Sequence, residues 1–250
     1  MTRVSPRTIT ASMKFKHADE RYLSQRDAFA SLAGMPDLWS IVDHWPLYCG
    51  VANLARFMAI ADLLRGVLDV PGHVAEFGSW RGANVLFLAK LLRIWDPHGS
   101  KQVFCFDTFD GLRSFAAQDG SAVQFEGAYT GSLDVLHAVI QLYEMQDDIV
   151  IQQGLIEDTL PRVLDARPEL TFSFVYCDTD LYASTSTILR SVDPRLAKGG
   201  IIACDEWNDA AFPGEGTAVN EFLQQRGDDY EICHLLHSRK PSLVMKKIRD

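Results

Sequence analysis

The feature that most narrows the fold is a change of rhythm near residue 71. Beyond it, short apolar runs alternate with helix-patterned segments. "HVAEFG" (73–78), "QVFCFD" (102–107), "DIVIQQG" (148–154), "FSFVYCD" (172–178) and "GGIIACD" (199–205) each read as a buried strand. Between them, "ANVLFLAKLLRIW" sets Val85, Leu88, Ala89 and Leu92 on one helical face. A helix from about Ser184 turns Ile188, Leu189 and Val192 inward, and "TAVNEFLQQRG" forms another, ended by Gly227. Strands separated by helices imply βαβ units and a parallel sheet with helices on both faces. "YEICHLLH" and "SLVMKKI" close the chain as an antiparallel hairpin, which makes a mostly parallel α/β sheet of seven strands.

Before residue 71 the pattern is helical. Leu54, Phe57, Ala61, Leu64 and Leu68 step by three and four, and Pro71-Gly72 ends the run. The expected division is a helical cap over residues 1–70 and a ligand-binding domain over 71–250. Residues of about 113–147 form a long insertion after the second strand, read as a lid with a helix near Leu133 to Tyr143.

Composition removes several function classes. The 250 residues carry a net charge of −9, which argues against a nucleic-acid backbone as partner. No run approaches the roughly 20 apolar residues of a membrane span. The five cysteines form no CxxC pair, and three of them lie in strand-like runs. Together with a polar, basic Met1–Lys16 lacking an apolar core, they point to the reducing cytoplasm.

Parallel sheets bind ligands at the carboxyl ends of their strands, and there this sequence places its acids. In "EFGSWRGANV", Gly78 permits a tight turn into a helix N-terminus, while Trp80 and Arg81 stand where a dinucleotide-binding G-x-G-x-x-G would need room. Glu76 there suits a ligand ammonium group rather than a pyrophosphate. Asp107, ending the second strand, suits ribose hydroxyls; the alternative is an aspartate that caps a turn. An amino group and a ribose occur together in S-adenosylmethionine; Asp107 alone does not separate that ligand from NAD.

Asp178, Asp205 and Glu206 end two strands expected to be neighbours. Three carboxylates that close need a counter-charge, and Mg²⁺, a hard ion with oxygen ligands, supplies it better than zinc. Asp180 is a candidate base for a metal-bound hydroxyl; the simpler reading makes it the cap of the next helix. His137, Trp80 and Trp207 are weaker candidates for a base and for ring-stacking walls.

The segments "VAEFGSWRGAN", "FCFDTFDGL", "QGLIEDTLP", "VYCDTDLYASTSTIL", "DPRLAKGGIIACDEW" and "PGEGTAVNEF" resemble the macrocin O-methyltransferase family over about Val74 to Phe222. The resemblance implies a Rossmann-like class I S-adenosylmethionine-dependent fold and Mg²⁺-assisted methylation of sugar hydroxyls on secondary metabolites. It implies a metal at Asp178, Asp205 and Glu206, with Asp180 as base. The cofactor site would include Glu76, Gly78, Ser79, Asp107, Thr108, Ile156, Glu157 and Asp178. Asp178-Thr179-Asp180 and Asp205-Glu206 replace the Asp-Gly-Asp and Asp-Asp usual in that family. The implied partners are a small sugar-containing acceptor and further copies of the chain. A catechol or small phenol as acceptor, and an NAD- or nucleotide-binding protein, are the competing expectations.

Overall fold

The structure, a computed structural model, describes residues 38–249. The first part of the expected helical cap lies outside the described residues. Five parallel strands, β1 (His73–Phe77), β2 (Val103–Asp107), β3 (Ile149–Gln153), β4 (Phe172–Cys177) and β5 (Leu196–Cys204), are joined at one edge by the antiparallel pair β6 (Tyr230–Cys233) and β7 (Leu243–Lys247). Their order is β3-β2-β1-β4-β5-β7-β6. The chain reverses direction across the sheet between β1 and β4, the switch point where such sheets bind ligands.

Alternation along the central strands feeds two separate cores. Val74, Cys105, Phe174, Tyr176 and Ala203 face α1 (Val51–Arg65), α2 (Ala83–Trp95) and α3 (Leu133–Leu142). Ala75, Phe77, Phe104, Phe106, Val175 and Cys204 face α4 (Ile156–Ala166), α5 (Tyr182–Val192) and α6 (Pro213–Arg226). Two short helices, Leu38–Asp43 and Trp45–Tyr48, precede α1. Val85, Leu88, Ala89 and Leu92 are all buried, as the spacing predicts.

Two expectations need correction. Of the five residues expected on the inward face of α1, only Leu64 is buried; the core is made by Ile60, Leu63 and Val67, about one residue further round. Apolar residues cover most of this helix, so spacing alone does not select the face. Helix α6 begins at Pro213, not Thr217, because Pro fits the first turn and the "PGEG" glycines are held by tertiary contacts. A Cβ at Gly214 would lie 1.8 Å from Asp119 Oδ1, so only glycine lets the insertion approach α6 this closely.

Asp119 fixes the insertion to the sheet's helices. It is fully buried, and its two oxygens accept the Ala116 and Tyr182 N–H groups at 2.6 and 2.7 Å. Tyr182 opens α5, whose own N-cap, Leu181, has no capping side chain. An acid from the insertion thus caps a helix more than sixty residues later, and Asp180 does not.

Candidate active site

The strand ladders run to their tips. Gly78 N–H donates to Phe106 O, Asp178 N–H to Phe77 O and Asp205 N–H to Cys177 O, each at 2.9 Å. Cys177 pairs in register with Cys204, so Asp178 and Asp205 are side by side and project to one face. Gly78 has φ +85°, and a Cβ there would stand 1.8 Å from the Asp178 carbonyl oxygen. Close packing of the β1 and β4 tips therefore requires glycine.

A cleft opens over these tips. Its lining includes Gly78, Trp80, Asp107, Thr108, Ile156, Asp178, Asp180, Asp205 and Glu206, with Arg56, Arg113, Tyr129 and Phe212 around them. Three of the expected cofactor residues lie behind that lining. Glu76 and Ser79 are buried, and Glu76 Oε2 and Ser79 Oγ have no hydrogen-bond partner. Glu157 accepts a 3.0 Å bond from Ser184 Oγ, while its Oε2 is also buried and unpartnered. Buried polar atoms without partners are rare, and those of Glu76, Ser79 and Glu157 stand within two residues of positions that line one cleft. Burial raises the Glu76 carboxyl to about 8, opposed by Asn84.

Asp107 serves both expectations geometrically. Its oxygens accept the Trp80 and Phe109 N–H groups at 2.7 and 2.6 Å, forming the turn, and the residue also lines the cleft. Trp80, at φ +49°, meets Tyr129 edge-on at 5.9 Å, and Tyr129 approaches Phe212 at 6.4 Å. Trp207 instead donates to Asn220 and lies outside the cleft lining, and His137 is exposed on α3.

Ligand oxygens of Asp178, Asp205 and Glu206 lie within 4.8 Å of one another. Two cations that the sequence reading did not foresee flank them. Arg56 Nη2 is 2.6 Å from Asp178 Oδ2 and 3.5 Å from Asp205 Oδ1. Lys240 pairs with Glu206 and donates to the Asp205 carbonyl at 3.0 Å. Arg56 arrives because α1 packs on the face that Asp178 and Asp205 share. No motif marks it; its signal is an arginine near the middle of a mostly apolar helix.

Electrostatics shows that these cations do not suffice. Burial, then Asp205, raise Asp178 to about 6 against the pull of Arg56. Burial and Asp205 raise Glu206 to about 8 despite Lys240. Asp180, with φ +65°, is pushed well up by burial and its three acidic neighbours. Asp205 alone is lowered: burial would raise it, but Arg56 and Lys240 together prevail. Asp178, Asp180, Asp205 and Glu206 outnumber Arg56 and Lys240, and Lys240 also lies 3.9 Å from Asp209, so the cluster stays net negative when all are ionised.

One more acid and a phenol hold the geometry. Tyr176 Oη donates to Asp205 Oδ1. Glu215 Oε1, fully buried at the start of α6, accepts the Glu206 N–H at 2.7 Å.

Known proteins resemble this chain in sequence and in fold. The chain is 32% identical over 148 residues to 8-demethyl-8-(2,3-dimethoxy-alpha-L-rhamnosyl)-tetracenomycin-C 4'-O-methyltransferase of Streptomyces olivaceus, covering 55% of this chain and 54% of that one. It is 27% identical over 175 residues to mycinamicin III 3''-O-methyltransferase of Micromonospora griseorubida, covering 66% of each. The matches thus span from about half to two thirds of these relatives' lengths. The calicheamicin methyltransferase CalS11 shares the fold at a TM-score of 0.78 and 24% identity, over 100% of this chain and 95% of that one. The family described as macrocin-O-methyltransferase (TylF) matches residues 42–235, which extends the likeness back from Val74 to take in α1 and Arg56. The chain belongs to the macrocin-O-methyltransferase family.

Proposed function

We propose that this chain transfers a methyl group from S-adenosylmethionine to a hydroxyl of a sugar-containing small molecule, with Mg²⁺ at Asp178, Asp205 and Glu206. The observation that carries the reading is the convergence of those carboxylates, from neighbouring strand tips, beside a cleft backed by unpartnered polar atoms. The names of the relatives, O-methyltransferases of a rhamnosyl-bearing tetracenomycin and of mycinamicin III, support the acceptor class.

Both absent groups fit the residues. Glu76 Oε2 and Ser79 Oγ, buried without partners at the end of β1, suit the ammonium and carboxylate of the methionine part. Asp107 and Thr108 would take the ribose, and Ile156 and Glu157 the adenine side. Trp80 lines the cleft at the position where a dinucleotide-binding turn carries its second glycine, which favours the sulfonium donor over NAD. The oxygen-only donor set and its residual negative charge suit Mg²⁺. A divalent ion bound there supplies a Lewis acid that lowers the pKa of a hydroxyl.

The remaining work belongs to the chain. Asp180, whose raised pKa makes it a stronger base than an ordinary carboxylate, accepts the acceptor's proton. Trp80, Tyr129 and Phe212 give the acceptor an aromatic wall along the cleft. Positioning of the hydroxyl about 3 Å from the methyl carbon, in line with the bond that breaks, supplies much of the acceleration. Residues 1–70 would form a helical cap and 71–250 the methyltransferase domain, acting as a homo-oligomer in the cytoplasm.

The test is methyl transfer assayed on a deoxysugar nucleotide, a glycoside and a catechol, with chelator and with Mg²⁺ restored. Turnover of a sugar acceptor that chelator abolishes is expected. Turnover of the catechol alone moves the acceptor class, full activity in chelator removes the metal, and binding of NAD without the sulfonium ends the methyltransferase reading.

A further inference from the structure

We infer that Arg56 is a displaceable internal cation that competes with the divalent ion for Asp178 and Asp205 and so sets the ion's affinity. The inference rests on the metal reading above. Arg56 Nη2 touches two of the three proposed ligands, at 2.6 Å from Asp178 Oδ2 and 3.5 Å from Asp205 Oδ1. An oxygen so engaged cannot present the same lone pairs to a metal, so binding there proceeds by exchange. The two flanking cations differ in how they are held. Lys240 is anchored by the Asp205 backbone carbonyl as well as by Glu206. Arg56 has no backbone acceptor among the described residues, and its Nε is buried without a hydrogen-bond partner. Its hold on the site is the carboxylates themselves together with Tyr176, to whose side chain it donates a hydrogen bond and whose ring centre lies 5.7 Å away.

Such an arrangement has a physical purpose. Without a cation, Asp178 and Asp205 on adjacent strand tips would repel, and the guanidinium keeps them together until the ion replaces it. The guanidinium, carried by α1, itself lines the cleft, so exchange frees a cation within it. Arg56 is in this sense a positioning residue, and its removal should strengthen ion binding rather than weaken it.

The experiment is Mn²⁺ binding followed by electron paramagnetic resonance, on wild type, Arg56→Met, Arg56→Gln and Arg113→Met, each checked for folding by circular dichroism. Arg113 lines the same cleft but pairs with Glu126, so it controls for charge at a distance. The expected result is Mn²⁺ bound about tenfold or more tightly by either Arg56 variant, with Arg113→Met within about twofold of wild type, as one close charge pair against a screened one predicts. Unchanged or weaker binding in both Arg56 variants, with wild type binding normally, overturns the inference and leaves the metal reading standing. An equal gain in Arg113→Met overturns it too, since general charge would then explain the effect. Saturable Mn²⁺ binding by Arg56→Met but not by wild type supports it in its strongest form, with Arg56 taking the ion's place. Absence of binding in all four proteins ends the metal reading, and the inference with it.

Discussion

Glu76 offers a test in which two readouts should move in opposite directions. Its carboxyl is buried, its Oε2 has no partner, and its pKa is raised from 4.5 to about 8. In the unfolded chain the same group loses its proton near its ordinary value. Through the window between those values the folded state therefore holds more protons, and stability falls as pH rises. Linkage puts the fall attributable to Glu76 at about 3 kcal/mol between about pH 5.5 and about pH 8.5. Glu76→Gln cannot ionise, so its urea-unfolding free energy should decline less over that range by about this amount, groups common to both proteins cancelling. Calorimetry should show the reverse for the ligand. S-adenosylmethionine should bind Glu76→Gln roughly 10- to 150-fold more weakly, the loss expected for one charge-assisted hydrogen bond to an ammonium group. Parallel pH slopes for the two proteins would refute the burial argument. Unchanged affinity would refute the assignment of the ammonium to Glu76.

Four further outcomes follow from the acidic cluster and the insertion. Asp178→Asn should abolish Mn²⁺ binding while S-adenosylmethionine still binds, as read by calorimetry with each ligand; loss of both would make Asp178 a general structural residue. Asp180→Asn should lower kcat by roughly 100-fold or more with Mn²⁺ affinity nearly kept, and unchanged turnover would remove it as the base. Mn²⁺ affinity should climb between about pH 6 and about pH 8, because Asp178 and Glu206 must shed their protons to become ligands, whereas a flat profile would exclude them. Asp119→Ala should cost about 1–2 kcal/mol in thermal unfolding, the value of a lost helix cap, and should speed proteolytic cleavage within residues 113–130; unaltered cleavage would show the insertion is held elsewhere.

How much of this was legible in the sequence depends on whether a residue's partner is near or far along the chain. The strands and the helix over residues 83–95 could be read because apolar spacing is a local signal and their surroundings agree with it. Asp178 and Asp205 could be placed together because two parallel strands with matching ends must bring their last residues side by side. The inward face of α1 could not, since a helix apolar on most sides leaves the choice to what it packs against. The cap of α5 was equally hidden: Asp180 stands at the right offset, but the acid that caps the helix is Asp119, from the other side of β3 and β4.

Arg56 and Lys240 show why charge is the least legible part of such a site. From the sequence, three converging carboxylates demand positive charge, and a metal is the economical answer. The fold supplies two cations from positions 56 and 240, far from any acidic motif, and yet Asp178 and Glu206 stay raised toward neutrality. If the protein's own cations had met the whole demand, those carboxyls would have been lowered, as Asp205 is. The shortfall, rather than the number of acids, is therefore the argument for an ion. It also locates that argument: adding positive charge should act most on Glu206 and Asp178, and least on Asp205, which the two cations already satisfy.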